Sequence, residues 1–462
     1  MSEKLERKYG LFTAICMVVG IVIGSGVFFK ARDILILTGG NMPMGILAWL
    51  IGGAIMLVSL LTFSFMGQKY ERVNGLVDYA EATVGPKYGY LMGWFVGVVY
   101  FPAMNAVLVW VSAMYTMIFI TSAFPGFLGE SVDVAAGPHT IGLTLFYMCM
   151  MYGMNTLSPK LAGKFQTTTT VIKMIPLALM AVVGVVAGLI SGVLQQNFTQ
   201  PVVTLSSYAA SKADSPLLAS VCAAAFAYEG WIIATSINSE IKNSKKNLPR
   251  ALIIGGLIIV GVYLLYFIGV AGGATTEELL SHGAARAFTN LFDNFFGNVL
   301  NLFVAISCLG TTNGLMLGCT RCMYSLANRG QGPAPAVYSQ VDRKTNMPGN
   351  SGIFALMVTA AWFLYYYVTN ISGIWTGIFA FDSSELPIIT VYLMYLPMLI
   401  QWMRKEKDQN VLRRFLMPGL SLCGSVFMVV ASVFSHGMDC LWYLFVFAAI
   451  MIIGILVNRK KH

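Results

Sequence analysis

Long apolar runs dominate the chain and are separated by short polar segments. Each run has about 17 residues or more, which is enough for an α-helix to cross a bilayer and too long for a barrel strand. The sequence therefore predicts an all-α polytopic membrane protein with twelve transmembrane helices. The runs lie at 11–29, 43–67, 88–121, 140–156, 166–192, 216–238, 251–273, 296–327, 352–369, 374–402, 415–435 and 440–457.

The composition supports this class of protein. Charged residues make up 11% of the 462 residues and apolar residues 57%, whereas a soluble domain carries about 25% charged residues. A soluble enzyme, a disordered chain and a secreted disulfide scaffold are therefore excluded. The eight cysteines fall almost entirely in apolar runs, and the four histidines lie in loops or tails without metal-ligand spacing. No disulfide framework, metal or other cofactor is expected.

The basic residues indicate the topology. With the N-terminus inside, nearly all of the 29 lysines and arginines fall in cytoplasmic segments. This asymmetry predicts a multi-pass protein of the plasma (inner) membrane with both termini in the cytoplasm. The net charge of +9 then reflects topology in a lipid bilayer, and no nucleic-acid partner is expected. The exceptions are four external residues and one inside a span: Lys30, Arg32, Lys212 and Arg286, and Lys173.

Two predicted spans carry helix-breaking residues in their middles. Span 1 contains glycines within 20–28, and span 6 contains Glu229-Gly230 within 226–231. Span 6 lies five spans after span 1, so the two run through the membrane in opposite directions. Interrupted helices at corresponding places in two inverted halves indicate a transporter binding site. The alternative is that the span 1 glycines only allow close helix packing.

Such breaks can bind an α-amino acid. Unwinding a helix in the membrane frees peptide groups that lipid cannot satisfy, so they must line a cavity and meet a polar ligand. Free N–H groups at Gly24-Ser25-Gly26 begin a half-helix whose positive dipole end suits a carboxylate. Carbonyl groups at the ends of the preceding half-helices suit an ammonium group.

These motifs resemble a known family. Gly-Ser-Gly-Val-Phe at 24–28 resembles the glycine-rich motif of the amino acid–polyamine–organocation (APC) superfamily of transporters. Phe-Ala-Tyr-x-Gly-Trp at 226–231 is similar to the sixth-span motif of its L-amino-acid transporter branch. The segments 240–250 and 327–330 also match that branch. The resemblance covers most of residues 10–350.

The resemblance implies a LeuT-type fold that works by alternating access without covalent chemistry. Residues 11–192 would form the first five-helix repeat and 216–402 the second, inverted repeat. Residues 415–457 would form two peripheral helices, and 1–10 and 458–462 would be cytoplasmic tails.

The resemblance also implies a substrate site. Ser25 and Gly26 would bind the substrate carboxylate through their backbone. The carbonyl groups of Val22, Phe226 and Glu229 would bind the amino group. The implied substrate-binding set is Val22, Ile23, Gly24, Ser25, Gly26, Phe226, Ala227, Tyr228, Glu229, Trp231, Thr312, Asn313 and Leu315.

Two ionisable residues inside spans are candidates for coupling substrate movement to protons or to the transport state. A charge in the membrane is costly, so its presence indicates a function. Glu229 would pair with a cationic substrate side chain or exchange a proton; the alternative is a protonated, structural glutamate. Lys173 resembles the lysine of sodium-independent relatives that replaces sodium, and would bridge span 5 to spans 1 and 8. The alternative is a lysine that snorkels to the cytoplasmic face.

A third group of charges predicts an external gate. Asp382 and Glu385 lie three residues apart on predicted span 10, which would put them on one helix face. Asp382 would close the gate by pairing with Lys30, beyond the break of span 1. The alternative is that the two acids are solvated in an outer vestibule.

The sequence thus predicts a secondary amino acid transporter that is sodium-independent, with cationic substrates slightly ahead of neutral ones. Proton symport and exchange both remain open. The alternatives are a polyamine or neutral amino acid exchanger of the same fold and, from other classes, a channel or membrane enzyme. An enzyme would need a cluster of catalytic side chains at a membrane face, and the sequence contains none. The predicted partners are an amino acid and the lipid bilayer, with protons in the symport case; no partner subunit is inferable.

Overall fold

The structure is a computed structural model that describes residue 7 and residues 9–24, 26–70, 75–129, 132–199 and 215–458. Within these residues, ten helical segments are long and apolar enough to cross a membrane. They are Met42–Lys69, Pro86–Ala123, Pro159–Ser191, Pro216–Thr235, Ser244–Gly273, Gly297–Ala327, Gly349–Ile371, Leu386–Lys405, Leu412–Phe434 and Met438–Val457. They correspond to predicted spans 2, 3 and 5 to 12, and we keep those numbers.

Span 1 consists of two helices, Leu11–Val22 and Gly26–Leu37, which are bent by 50° and raise the count to eleven if they form one span. The helix Pro138–Leu157 lies where span 4 is predicted, but it is less apolar than the others. The multi-pass helical class is therefore confirmed, whereas the count of twelve stays a prediction. Short helices between spans are Gly75–Thr83, Val193–Thr199, Thr276–His282, Ala284–Phe292 and Pro335–Tyr338.

Span 10 begins later than the sequence predicts. Its helix runs from Leu386 to Lys405, and the preceding residues from Ser372 are not helical. Gly377 and Phe379 have φ values of 103° and 64°, which interrupt a right-handed helix. The prediction that Asp382 and Glu385 share a helix face is therefore wrong, because they lie in the turn that leads into span 10.

Span 1 lies at the centre of the molecule. We call Leu11–Val22 the inner helix of span 1 and Gly26–Leu37 the outer helix. The inner helix packs against spans 5, 6, 7 and 8, and its residues Val18, Val19, Ile21 and Val22 are each at most 4% exposed. Residues 16–22 are all buried, and an apolar helical segment that is buried on all sides belongs in a core. Span 12, in contrast, has many exposed apolar side chains, as expected of a helix that faces lipid.

The outer helix of span 1 is anchored to a short helix outside the spans. The Arg32 side chain donates hydrogen bonds to the carbonyl oxygens of Leu280 (2.9 Å) and Ser281 (3.2 Å), at the end of Thr276–His282. Thr275 and Glu278 form a capping box at the start of this helix. The hydrogen bond from the Thr275 backbone N–H holds the pKa of Glu278 below its usual value.

Glycines let spans 5 and 7 approach each other closely. A Cβ atom on Gly269 would collide with the carbonyl oxygen of Met180, and one on Gly184 would collide with that of Gly269. Gly188 and Gly272 meet in the same way, one turn further along. Small residues of this kind let helix backbones pack directly in a membrane. The contact holds span 7 against span 5, and both helices carry side chains that reach the breaks.

We predict that Gly269→Ala destabilises the protein by about 1–3 kcal/mol, because the added methyl group overpacks the contact between spans 5 and 7. The measurement is thermal unfolding in detergent. The control is Gly261→Ala on the same helix, where a Cβ atom has no neighbour within 4 Å and alanine favours the helix by up to about 1 kcal/mol. Equal melting temperatures for the two variants would contradict the prediction.

Candidate substrate site at the helix breaks

Both predicted breaks are present. In span 1 the inner helix ends at Val22 and the outer helix begins at Gly26. In span 6 the helix Pro216–Tyr228 ends before Glu229, which is extended (φ −74°, ψ 165°). Gly230 follows with φ 98°, a conformation that favours glycine. Ser25 lies outside the described residues, so its role in carboxylate binding stays a prediction.

The two breaks touch each other and share a partner from span 7. The Tyr263 hydroxyl lies 3.1 Å from the carbonyl oxygen of Val22 and 2.9 Å from that of Ala227. A Cβ atom on Gly26 would lie 2.9 Å from the Ala227 Cα atom, so the backbones are in direct contact there. Tyr263 thus holds one carbonyl group from each break, and each carbonyl oxygen keeps a second lone pair for a ligand.

A small cavity, with about 20 Å³ of room for water-sized molecules, lies between the breaks. Seven residues of the predicted site line it: Val22, Gly24, Gly26, Phe226, Ala227, Glu229 and Leu315. The lining residues are buried, so the cavity is enclosed by protein.

Three predicted site residues on the broken spans face away from the cavity. The Ile23 carbonyl accepts hydrogen bonds from span 5 and span 8 side chains. The Tyr228 hydroxyl donates to the Trp49 carbonyl (3.2 Å). The Trp231 ring packs edge-on against Phe63, with ring centroids 5.5 Å apart. All three residues contact neighbouring helices, and none of them lines the cavity.

The predicted contribution of span 8 is shifted by one residue. Thr311 and Leu315 line the cavity, and their spacing of four places them on one helix face. Thr312 and Asn313 lie on other faces. The Asn313 side chain donates to the Gln166 side chain (2.8 Å), and that of Thr312 is buried without a hydrogen-bond partner in the described part. The span 8 residues that line the cavity are therefore Thr311 and Leu315, and the expectation that Thr312 and Asn313 line it is wrong.

The sequence reasoning missed the wall that span 3 provides. Met104 and Leu108, again four residues apart, line the cavity, together with Ile21 and Gly230. Span 3 contains a π-helical turn, Val96–Tyr100, directly before them, and such turns are frequent at functional sites. The sequence analysis did not consider the faces of this run, in which Asn105 and Ser112 are the polar residues near Met104 and Leu108.

The Glu229 side chain is 4% exposed and forms part of the cavity wall. Its carboxylate accepts hydrogen bonds from the Tyr100 hydroxyl (2.6 Å) and from the Gly230 N–H (3.4 Å). Within the described residues, no basic side chain forms an ion pair with it. The carboxylate is thus held by neutral donors at the edge of an enclosed space.

Lys173 is fully buried, and its ammonium group joins three spans. It donates hydrogen bonds to the carbonyl oxygens of Gly20 (2.7 Å), Ile23 and Ser307 (3.3 Å), and lies 3.5 Å from the Thr311 hydroxyl. The alternative of a lysine that snorkels to the cytoplasmic face is wrong, because the side chain points into the core. It satisfies carbonyl groups that the break of span 1 leaves without helical partners.

A cluster of charged residues lies next to Phe226 of the cavity wall. Lys30 forms an ion pair with Glu385, and its Nζ atom lies 3.4 Å from Asp33 Oδ2. The Glu385 carboxylate also lies 3.2 Å from His436 Nε2. The Lys30 ammonium lies 5.0 Å from the ring centroid of Phe226, a residue of the cavity wall. A cation over an aromatic face is a favourable contact.

The predicted acidic partner of Lys30 is corrected from Asp382 to Glu385. The Asp382 carboxylate accepts a hydrogen bond from the backbone N–H of Ser384 (2.6 Å) and so stabilises the turn before span 10. Glu385 is the residue directly before the helix and reaches Lys30. The gate function of the cluster stays a prediction.

A membrane protein with an enclosed cavity between two broken helices belongs to the class of small-molecule transporters. Residues 9–457 match the family model described as amino acid permease. The chain therefore belongs to the amino acid permease family, within the L-amino-acid transporter branch of the APC superfamily. Its function is amino acid transport, and it is not an enzyme.

Relatives in several organisms are similar over almost the whole chain. The serine/threonine exchanger SteT of Bacillus subtilis is 27% identical over 446 residues, which cover 94% of this chain and 93% of the relative. Asc-type amino acid transporter 1 of Mus musculus is 24% identical, with 94% and 78% covered. Large neutral amino acids transporter small subunit 2 of Homo sapiens is 23% identical, with 94% and 77% covered.

We predict that Tyr263→Phe destabilises the protein by about 1–3 kcal/mol, because two buried carbonyl groups lose their shared donor. Substrate binding, measured as thermal stabilisation by ligand, should weaken as well. Tyr266→Phe is the matched control: its hydroxyl has no hydrogen-bond partner in the described residues, so its loss should be nearly neutral. If both variants behave alike, Tyr263 does not hold the breaks.

We predict that reversing the charge of Lys30 to Glu abolishes transport and that Glu385→Lys in the same chain restores it in part, because the double change rebuilds the ion pair. The measurement is uptake of a labelled amino acid into cells. Lys30→Glu combined with Asp382→Lys serves as the control and should stay inactive. Rescue by Asp382→Lys and not by Glu385→Lys would contradict the observed pairing.

Proposed function

We propose that this chain is a sodium-independent secondary transporter that moves amino acids across the plasma (inner) membrane by alternating access and favours cationic over neutral substrates. The fold proposed with it has twelve spans in two inverted five-helix repeats, followed by two peripheral helices. Both termini lie in the cytoplasm, a placement that rests on the distribution of basic residues.

The common part of every amino acid would bind at the breaks. The carboxylate would accept hydrogen bonds from the backbone N–H groups at the start of the outer helix of span 1, Ser25 and Gly26. The ammonium group would bind the carbonyl oxygens of Val22, Phe226 and Glu229. Val22 already accepts from Tyr263, and Phe226 from the N–H of Glu229 (3.2 Å). Each carbonyl oxygen has a second lone pair, so this sharing is possible.

The buried Glu229 carboxylate is the observation that carries the preference for cationic substrates. Burying an ionised carboxylate without a cation is costly. Its recorded hydrogen bonds come from neutral groups, and the side chain lies on the cavity wall. A cationic substrate side chain would supply the missing charge. A protonated Glu229 would serve instead in proton symport, and the experiment below separates these roles.

Lys173 supports sodium independence. Carbonyl and hydroxyl oxygens from spans 1 and 8 surround its ammonium group, and such a set of oxygens is the kind that otherwise binds a metal cation. With the lysine in place, this position needs no sodium ion. Its contacts to both the break and span 8 also make it a candidate coupling residue, because opening of span 1 would change them.

A neutral substrate is the second candidate. The walls formed by Met104, Leu108 and Leu315 are apolar, and two relatives are a serine/threonine exchanger and a transporter of large neutral amino acids. Exchange of neutral amino acids, or of polyamines, would use the same fold. One relative is named as a small subunit, so assembly of this chain with a partner subunit is a further proposal.

The test is transport by the purified protein in liposomes. Labelled arginine, serine, leucine and putrescine are offered in sodium-free buffer, either with an imposed proton gradient or with internal amino acid. We expect saturable arginine uptake that adding sodium does not change. Stimulation by the gradient alone indicates symport, whereas a requirement for internal substrate indicates exchange.

We predict that Glu229→Gln reduces arginine transport at least about tenfold while serine transport changes little, because loss of a charge-assisted hydrogen bond removes about 1.5–3 kcal/mol. Tyr100→Phe, which removes a donor and keeps the carboxylate, is the control and should retain arginine preference. Equal loss of arginine and serine transport in Glu229→Gln would contradict a side-chain pairing role.

A further inference from the structure

A second, smaller cavity, with about 10 Å³ of room for water-sized molecules, lies beside the first one. Ile21 lines both cavities. A Cβ atom on Gly314 would collide with Ile21 Cγ1, and one on Gly230 would lie 3.1 Å from Ile21 Cγ2. The two glycines, from span 8 and from the break of span 6, thus make room for this one side chain. Ile21 is the partition between the two spaces.

Two polar side chains, Gln166 of span 5 and Asn313 of span 8, lie in the wall of the second cavity. The Asn155 amide donates to Asn313 Oδ1 (2.9 Å), and the Asn313 amide donates to Gln166 Oε1 (2.8 Å). These bonds fix the orientation of the Gln166 amide group. Its Nε2 then has no hydrogen-bond partner in the described part of the chain, although the side chain is only 2% exposed. Buried polar groups are normally hydrogen-bonded, so this donor is available to an acceptor from a ligand.

The charge near Gln166 favours an anionic acceptor. Lys173 lies seven residues further along the same helix, and its ammonium binds the Gly20 carbonyl oxygen (2.7 Å). Gln166 Nε2 lies against the same residue, 2.5 Å from where a Gly20 Cβ would be. The cavity lining contains no acidic side chain among the described residues. A positive field and a free N–H donor together suit a carboxylate.

The second cavity is closed on its other side by the N-terminal segment. Tyr9 lines it, and the Tyr9 carbonyl oxygen accepts a hydrogen bond from the Lys242 N–H (2.8 Å), just after span 6. A Cβ atom on Gly163 of span 5 would lie 3.6 Å from the Tyr9 ring. The cavity therefore lies between the central site and the segment that the charge distribution places in the cytoplasm.

We propose that the second cavity widens during transport into a cytoplasmic-side substrate subsite, in which the carboxylate of an amino acid accepts a hydrogen bond from Gln166 Nε2. The substrate reaches this subsite from the central cavity when Ile21 moves aside, and leaves it when Tyr9 does. This inference rests on the proposed transport function and adds a second binding step to it. It assigns Gln166 a substrate contact that acts on one side of the membrane only.

Gln166→Glu is the main test variant, because it keeps the Oε1 acceptor for Asn313 and replaces the free donor with a repelling oxygen. Gly163→Leu is the second variant: it fills the same cavity from span 5 without changing a hydrogen bond. Gly153→Leu on span 4 is the matched control, since a Cβ atom there has no neighbour within 4 Å. Melting temperatures establish that each variant is folded.

The measurement is the KM for labelled arginine and serine at each membrane face, in right-side-out and inside-out vesicles. We expect both test variants to raise the cytoplasmic-face KM about tenfold, the effect of losing one hydrogen bond to a charged group. The external-face KM should stay within about twofold, and Gly153→Leu should match the wild type on both faces.

Two results would overturn the subsite. One is an equal change of KM on both faces, and the other is no change on either face in a folded variant. Should Gln166→Glu not fold, Gly163→Leu decides alone. In either case the wild type still transports, so the proposed function survives. A wild type without saturable uptake in either orientation would overturn the proposed function itself, and the subsite with it.

Discussion

The structure depends on how the peptide groups of the interrupted span 1 are satisfied in the middle of the membrane. A helix that stops there exposes carbonyl groups that lipid cannot solvate. Lys173 of span 5 binds those of Gly20 and Ile23, and Tyr263 of span 7 binds that of Val22. The break therefore exists only because neighbouring helices donate to it. Spans 5 and 7 are themselves held together by direct backbone packing at Gly269. The geometry of the site therefore depends on the packing between these two helices.

The charged residues near the central cavity differ in whether they have a partner of opposite charge. The Glu229 carboxylate is held by neutral hydroxyl and amide donors, which leaves its charge available to a ligand. Lys30 and Glu385 instead form an ion pair, and the lysine also lies over the ring of Phe226. Because Phe226 is part of the cavity wall, the ion pair and the site are linked through one aromatic ring. A change at the outer cluster therefore reaches the wall of the cavity through a direct contact.

Glycine has different physical roles at different places in this fold. At Gly230 it permits the positive φ that turns span 6 out of its helix. At Gly26 it lets the two broken backbones touch. At Gly314 it leaves space for the Ile21 side chain, which separates the two cavities. Since a methyl group at any of these positions would meet neighbouring atoms, these close approaches depend on the missing side chain.

The sequence by itself determined the helical membrane class, the positions of the breaks near Gly24 and Glu229, and the presence of a lysine within the apolar run of span 5. These features are local: hydropathy, helix-breaking residues and a charge within an apolar run can be read without knowing what they touch. Only the tertiary structure decided that Thr311 rather than Thr312 faces the cavity, and that Glu385 rather than Asp382 meets Lys30. The physical reason is that a helix buried on every side has no polar face to reveal its orientation. The partner of a charge, in turn, depends on where a distant helix begins.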